Sequence, residues 1–254
     1  MTNLYARNRD TNYENFIAEC PHCKNENIFN RASDLKTFDR KTFEYIAHKE
    51  VKCFKCKQKF NIKGDRVSEK HEYLIYDCYE LLELKRYMYC IINLCIACEA
   101  FFLKGIEIKL LWEPWKGKVF QKDTDVFNYY SDKLYRKTKD YTYSKLLNVF
   151  FGLYLKNKSF HSEASIDDYI GKMDSFAKIK PKDEDIKKYH DFKIADLFMD
   201  LKKLNINEIR NNVAHKYAFR PSLKDVEKYL EEERSVVFGL QTRLKMKHET
   251  MYFN

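Results

Sequence analysis

Apolar residues recur at helical spacing along most of the chain. Between Ser68 and about Leu111 they return every three to five residues, as at Tyr73 and Tyr76. This interval places side chains on one face of an α-helix, so the pattern predicts helical structure there. Residues 113–122, which contain both tryptophans, interrupt the pattern. Beyond them the same spacing predicts helices at about 125–157, at about 184–204, from 206 to a point before Pro221, and from Ser222 to about Lys247.

Capping signals mark two of the predicted helix starts. Asn205 followed by Glu208, and Ser222 followed by Asp225, have the spacing of a capping box, in which two side chains satisfy N–H groups at the first turn. The polar segment 158–183 contains Gly and Pro and is interpreted as a loop or a short-helix insertion. The sequence therefore predicts a mainly α fold, with a bundle of four to five helices.

Turn-forming residues are scarce, which supports a helical fold. The 254 residues include 6 Gly and 4 Pro, against 19 Tyr and 19 Phe. A sandwich or barrel of many short strands needs more tight turns than these can supply. Hydrophobic residues make up 44% of the chain. That fraction can fill a sizeable core, so wholesale disorder is excluded.

Four cysteines near the N-terminus have the spacing of a structural metal site. They form two CxxC pairs, Cys20 with Cys23 and Cys53 with Cys56. Two such pairs can surround a tetrahedral zinc ion with four thiolates. The segments 27–30 and 43–52 have the alternating character of hairpin strands, and residues 15–64 resemble a zinc ribbon. We therefore predict a small β zinc-ribbon module at 1–66 and a helical domain at 67–254.

Other roles for the cysteines fit the sequence less well. Disulfides are typical of secreted domains, and a catalytic zinc needs an open position that four thiolates do not leave. His22, inside the first CxxC pair, is interpreted as a bystander. Cys95 and Cys98 form a third CxxC, but they lie in apolar helical sequence without the βαβ context of a redox pair. We interpret the second group as core residues: Cys78, Cys90, Cys95 and Cys98.

Charge and hydropathy set the expected partners and location. Forty-seven Lys and Arg against 38 Asp and Glu give a net charge of +9. This excess fits a polyanionic partner, and it equally fits a lysine-rich solvated surface. The first sixteen residues contain no apolar core of a secretory signal. The most apolar stretch, 87–103, is interrupted by Asn93 and Glu99 and is short for a membrane span. We expect a cytoplasmic protein with no membrane contact.

One short segment near the C-terminus concentrates polar residues that suit phosphate chemistry. Arg210, Asn211, His215 and Tyr217 lie within eight residues of one another. On a regular helix Asn211 and His215 share a face, whereas Arg210 and His215, five residues apart, diverge by about 140°. Either the helix distorts, or Arg210 reaches around it, or a second copy of the chain completes the site.

Arg-Asn-x-x-x-His near the end of an all-helical domain resembles the R-x4-6-H motif of HEPN ribonucleases. Arg210, Asn211 and His215 carry this resemblance, and Tyr217 extends it to the R-x4-H-x-Y form of HEPN toxins that pair with nucleotidyltransferase antitoxins. The resemblance implies a metal-independent endoribonuclease of phage defence or toxin–antitoxin systems. RNA would be cleaved by its own 2′-OH, leaving a 2′,3′-cyclic phosphate, in a cleft shared by a homodimer. Tyr217 would be a modification or substrate-contact site.

Simpler roles and other functions are open at this stage. Arg210 could pair with a carboxylate, and His215 could cap a helix end. Glu99, a lone carboxylate in an apolar helix, could contact the active cleft or reach the bundle surface. The alternative function is a non-catalytic HEPN and zinc-ribbon module that binds nucleic acid, a nucleotide or a partner protein. A zinc-ribbon transcription or assembly factor would leave Arg210 and His215 unused.

Overall fold

A computed structural model describes residues 15–30, 49–62, 69–121 and 123–246. The chain divides into two compact units, with the boundary between Glu69 and Lys70. The first unit contains short strands and the second is helical, so the protein is mainly α with a small β module at its N-terminal end. The two units, called here the ribbon and the helical unit, are described separately.

The ribbon is built from two antiparallel hairpins. β1 (Asn15–Glu19) pairs with β2 (Glu26–Asn30), and β3 (Lys49–Lys52) pairs with β4 (Lys59–Ile62). The prediction of hairpin strands is confirmed for 27–30 and 49–52, and each of these strands pairs across the CxxC turn next to it. Residues 43–48 of that prediction lie outside the described residues. The pairing is local because each CxxC turn reverses the chain between its flanking strands.

The two CxxC turns share one backbone design. The amide of the residue four positions after the first cysteine bonds back to that cysteine's carbonyl, in Lys24 N to Cys20 O (2.9 Å) and Lys57 N to Cys53 O (3.1 Å). Lys24 and Lys57 have positive φ angles of 57° and 64°. Such a conformation usually selects Gly or Asn, so lysine here carries a modest strain that the turn geometry imposes.

The helical unit contains more helices among its described residues than the four to five predicted. A π-helical segment, Ile108–Trp112, continues α2 into α3. The helices are α1 (Lys70–Glu83), α2 (Tyr87–Glu107), α3 (Glu113–Lys116), α4 (Thr124–Thr138), α5 (Tyr143–Tyr154), α6 (Glu163–Phe176), α7 (Asp183–Lys187), α8 (Phe192–Lys203), α9 (Ile206–His215) and α10 (Leu223–Arg243).

α2 is the central helix of this unit. It packs against α1, α5, α9 and α10. Its Phe101 and Phe102 are fully buried and meet Phe150 of α5, with ring centroids 5.4 and 5.6 Å apart. Gly105 permits this contact, since a Cβ atom there would lie 2.5 Å from the Phe150 ring. Burial of such aromatic side chains is the main source of stability in a helical core.

Three of the predicted helical regions are each divided in two. Between Ser68 and Leu111 the chain turns at Lys85, whose φ is 56°, and this residue separates α1 from α2. The region 125–157 breaks between α4 and α5, and the region 184–204 breaks between α7 and α8. At the last break Asp191 caps α8 by accepting bonds from two backbone amides. Helical periodicity continues across each break, because the helices on both sides have apolar faces.

The capping predictions have opposite outcomes. Ser222 and Asp225 form the predicted capping box at the start of α10. Asn205 makes no side-chain capping bond, and its backbone (φ −99°, ψ 19°) is not in the extended conformation that N-capping requires. Only two residues separate α8 from α9, and the extended one is Leu204 (φ −59°, ψ 118°) rather than Asn205. In the predicted insertion, Ser162 and Ser165 cap the well-formed helix α6.

One helical stretch of the described residues is long and apolar enough to cross a membrane. Residues Tyr87–Lys116, which include α2, contain an 18-residue window with a mean hydropathy of 1.6. More than half of that window (56%) is buried inside the helical unit. The core helix of a soluble protein meets the same criterion, so this observation leaves the location of the protein a prediction.

Candidate functional site

The four predicted cysteine ligands come together in the ribbon. Their sulfur atoms all lie within 4.8 Å of one another, and the group could hold a metal ion. Each turn faces the other across this group, since the Sγ–Sγ distances are 3.7 Å both for Cys20 to Cys56 and for Cys23 to Cys53. The other four cysteines, Cys78, Cys90, Cys95 and Cys98, are buried in the helical unit, as predicted for core residues.

The turns also favour the ionised form of the ligands. Burial opposes ionisation of Cys53, but the backbone N–H groups of Cys56 and Lys55 lower its pKa to about 6. The Gln58 amide favours the Cys56 thiolate, yet burial and the neighbouring thiols raise the pKa of Cys56 to about 12. Four thiols this close cannot all ionise without a cation between them, because like charges repel. The arrangement therefore requires a positive ion to become fully deprotonated.

Asn27 connects the two turns, and the sequence analysis missed it. It is 1% exposed, and its Oδ1 accepts a 2.8 Å bond from the Phe54 amide in the second turn. Its Nδ2 donates to Asn25 O at 2.9 Å in the first turn. His22 makes a further link, with Nε2 3.2 Å from Lys59 O, and it is not part of the thiol group. A buried Asn between two hairpins carries no spacing signal, which explains the omission.

In the helical unit, Arg210 lies against the central helix. Its Nη2 donates a 2.9 Å hydrogen bond to Asn207 Oδ1, one turn earlier in α9. The same nitrogen is 4.0 Å from Glu99 Oε1 of α2, which is an ion-pair distance and too long for a hydrogen bond. About a third of each side chain remains exposed, 32% for Arg210 and 29% for Glu99. The guanidinium group is therefore oriented by two neighbours and still open to solvent.

Glu99 of α2 is influenced electrostatically by groups of α5 and α9. Burial raises its pKa, while Arg210 and the backbone N–H of Tyr143 act in the opposite direction. Tyr143 is the first residue of α5, whose N-cap, Thr142, provides no side-chain capping bond. The start of α5 therefore favours the ionised form of Glu99, as the arginine does. Glu99 is thus partly exposed beside Arg210, and its predicted contact with an active cleft stays a prediction.

The remaining predicted site residues lie at the exposed end of α9. His215 is its last helical residue, Asn211 is one turn earlier, and both are exposed. Tyr217 follows the helix and is 95% exposed, and Arg220 Nη1 donates a 2.8 Å bond to its carbonyl oxygen. Because α9 is a regular α-helix through His215, helix distortion does not bring His215 to Arg210. Asn211 and His215 share a face, and Arg210 points toward α2.

Two further buried groups of this region were absent from the sequence analysis. Glu233 of α10 is 1% exposed, and within the described structure neither of its carboxylate oxygens has a hydrogen-bond partner. The hydroxyl of Tyr143 is also buried without a partner. Burial raises the pKa of Glu233 well above its usual range. No motif marks these groups, since Glu233 stands in a charged run that is typical of a solvated face.

Comparisons of the chain with protein-family models, with curated proteins and with solved structures found no match.

Proposed function

We propose that the helical unit is a metal-independent endoribonuclease of the HEPN type and that the ribbon cysteines bind a structural zinc ion. The observation that supports the nuclease is the placement of one arginine and one histidine on the same short helix. Arg210 is oriented by Asn207 and Glu99, and its guanidinium group remains partly open. His215 is exposed at the helix end.

These residues suit cleavage of RNA by its own 2′-OH. His215 accepts the proton of the attacking hydroxyl as a general base. The 2′ oxygen then bonds to phosphorus, the bond from phosphorus to the 5′ oxygen breaks, and that oxygen takes a proton. Arg210 donates hydrogen bonds to the phosphate oxygens as charge develops on them. Asn211 orients His215 or binds the phosphate. The products are a 2′,3′-cyclic phosphate and a 5′-OH, with no catalytic metal.

A homodimer completes this site. Arg210 and His215 diverge by about 140° on one helix, so a single copy does not direct both at one phosphate. A twofold axis beside α9 would place the arginine of one copy near the histidine of the other, and twofold dimers are the commonest symmetric assemblies. We extend the proposal to a cytoplasmic role in phage defence or a toxin–antitoxin pair, in which an antitoxin or other regulatory protein would act on exposed Tyr217.

Zinc is the ion that best fits the ribbon. A tetrahedron with Zn–S distances of about 2.3 Å has edges of about 3.8 Å. The two Sγ–Sγ distances of 3.7 Å fall close to that edge and far from the roughly 2.05 Å of a disulfide. Metal analysis of the purified protein should find one zinc per chain. Zinc retained after Cys53→Ser and Cys56→Ser are combined would contradict the assignment.

Arg210→Ala and His215→Ala test the nuclease. Each should lower RNA cleavage by about 10²–10⁴-fold, since each removes a group that acts in the transition state. Matched controls are Arg136→Ala and His161→Ala, which remove the same side-chain types at exposed positions elsewhere in the helical unit. Circular dichroism verifies folding. Wild-type cleavage in both site variants would end the proposal for this site.

Mixing experiments test the shared site. Wild type is mixed with a chain that carries Arg210→Ala and His215→Ala, so that heterodimers form. The activity of the mixture should then be lower than expected from the fraction of wild-type chains in it. A strictly monomeric protein that is fully active at nanomolar concentration would exclude a composite site.

One observation favours a second candidate, a non-catalytic module that binds nucleic acid or a partner. The Arg210 guanidinium already has Glu99 and Asn207 as neighbours, and this arrangement also suits a purely structural ion pair. The control is Glu99→Gln, which keeps the shape and removes the charge. If the helical unit is a nuclease, Glu99→Gln should alter RNA cleavage and change stability little. If Arg210 and Glu99 form only a structural ion pair, the substitution should change stability alone.

A further inference from the structure

The second CxxC turn of the ribbon presents an aromatic ring among lysines. Phe54, between the two cysteines of this turn, is 44% exposed although it is a large apolar side chain. Lys52 precedes the turn, Lys55 lies within it and Lys57 follows it, and all three are exposed. A single exposed ring is common on protein surfaces, and the feature that distinguishes this one is its position among three lysines.

The ring is positioned by its surroundings. Its backbone amide donates to buried Asn27 at 2.8 Å, and its carbonyl oxygen accepts a 2.6 Å bond from Lys57 Nζ. On the inner side its centroid lies 5.2 Å from that of Phe29, a buried residue of β2, with the ring planes tilted by 34°. Phe54 is therefore a supported platform whose outer part faces solvent.

The first CxxC turn has the same backbone and lacks these features. The positions between its cysteines are Pro21 and His22, and the His22 ring contacts the Lys59 carbonyl. Its Lys24 is paired with Glu19 at 3.3 Å. Because the two turns share one geometry, the exposed phenylalanine and its lysines are not needed to form such a turn.

Two of the lysines around the second turn have no carboxylate partner among the described residues of the ribbon. Lys59 is paired with Glu50 at 2.7 Å. Within the described part of the chain, neither Lys52 nor Lys55 is paired with a carboxylate. Four thiolates around a divalent ion leave the metal site with a net negative charge. Only part of the positive charge of the lysines around the second turn is needed to balance it. The remainder attracts a polyanion.

We propose that this face binds single-stranded nucleic acid, with a base stacked on Phe54 and the neighbouring phosphates contacted by Lys52 and Lys55. Aromatic platforms in a positively charged surface are how proteins bind single strands with little sequence preference. That the strand is RNA rests on the proposed nuclease, for which the ribbon would hold substrate. Stacking and phosphate contacts serve RNA and DNA alike, so the binding itself does not depend on cleavage.

Fluorescence anisotropy of the zinc-loaded full chain with labelled oligouridine and oligothymidine of roughly ten nucleotides tests this proposal. The His215→Ala background prevents cleavage during the titration. Phe54→Ala should weaken binding by about 5- to 150-fold, and Phe54→Trp should retain it, because one stacked base contributes that range. Tighter binding of oligouridine would identify RNA as the preferred ligand, and tighter binding of oligothymidine would identify DNA. Equal binding would show that the surface does not distinguish them. Each of these results supports the platform.

A second arm tests the lysines. The combined Lys52→Ala and Lys55→Ala change should reduce the slope of log affinity against log salt by about 1.4, since each phosphate contact on a single strand contributes about 0.7. Lys24→Ala in the other turn is the matched control and should leave the slope unchanged. Zinc content is measured for each variant, so that loss of the ribbon is not mistaken for loss of the platform.

Two results would overturn the inference. In one, Phe54→Ala with full zinc binds both strands like the parent protein. In the other, neither strand binds saturably. Failure of the nuclease gives a different pattern, in which wild type does not cleave RNA while Phe54-dependent binding persists.

Discussion

The buried carboxyl group of Glu233 should control how the stability of the helical unit depends on pH. The side chain is 1% exposed, and its oxygens have no hydrogen-bond partner among the described residues. The Cys98 thiol lies beside it without normal hydrogen-bond geometry. Burial raises its pKa well above the usual range, so the protonated form is favoured in the folded state.

The sign and size of the effect follow from proton linkage. Below the usual pKa of about 4.5, folded and unfolded chains are both protonated at this position, so Glu233 causes no pH dependence. Above it the unfolded chain loses the proton and the folded chain keeps it. The free energy of unfolding then falls by about 1.4 kcal/mol per pH unit until the folded group ionises. Stability from this group is therefore greatest at low pH and is lost as pH rises.

Glu233→Gln removes this dependence while preserving the shape of the side chain. Between pH 5.5 and 7.5 the stability of the variant relative to wild type should rise by about 2.7 kcal/mol, for a carboxyl group that stays protonated throughout. The comparison across pH cancels any constant cost of a buried amide. Glu232→Gln, an exposed neighbour on the same helix, should show almost no such change.

Urea unfolding followed by tryptophan fluorescence measures this difference. The chain has 2 tryptophans, Trp112 and Trp115, and both lie in the helical unit, so the signal does not include the ribbon. Parallel stability profiles for wild type and Glu233→Gln across this pH range would refute the reasoning. They would mean that Glu233 ionises normally and that water or a conformational change reaches it.

Further predictions concern the core and the ribbon. Gly105→Ala should destabilise the helical unit by about 1–3 kcal/mol, because the new Cβ would lie 2.5 Å from the buried Phe150 ring. Gly171→Ala is the control in urea unfolding, and since nothing lies within 4 Å of its Cβ it should stabilise by up to about 1 kcal/mol. Asn27→Ala should speed zinc loss to a chelator by leaving the Phe54 amide unpaired, and an unchanged rate would show that the turns hold together without it.

Features that depend on local spacing were predictable from the sequence. The CxxC turns bring their own sulfurs together, and the meeting of the two turns followed from the pairing of the motifs. The mainly helical second unit followed from periodicity and from the scarcity of Gly and Pro. Ser222 and Asp225 formed their capping box because every atom involved lies within one helical turn.

Features that depend on backbone conformation or on distant contacts were harder to predict. Lys85 takes the left-handed conformation that ends α1, and lysine gives no signal of that role. Asn205 has the sequence spacing of an N-cap, but its backbone is not extended and its side chain makes no capping bond. Asn207 supports Arg210 across one helical turn, yet an asparagine at that spacing is common on helix surfaces.

The candidate site mixes both kinds of feature. Glu99 could be identified from the sequence as a candidate site residue, because a lone carboxylate in an apolar helix needs a partner. Its position 4.0 Å from Arg210 results from the packing of two helices and could not be predicted. Glu233 could not be identified as a buried residue from the sequence. Residues 231–234 are all charged, and one buried residue among them produces no periodic pattern.

The end chemistry of RNA cut without a free divalent metal tests the central claim most directly. Zinc-loaded protein, freed of magnesium by gel filtration, is incubated with defined RNA, and the product termini are identified by mass spectrometry. The account predicts fragments with 2′,3′-cyclic phosphate and 5′-OH ends, produced by wild type and lost in His215→Ala. Intact RNA, cleavage that requires added magnesium, or cyclic ends produced equally by His215→Ala would contradict it.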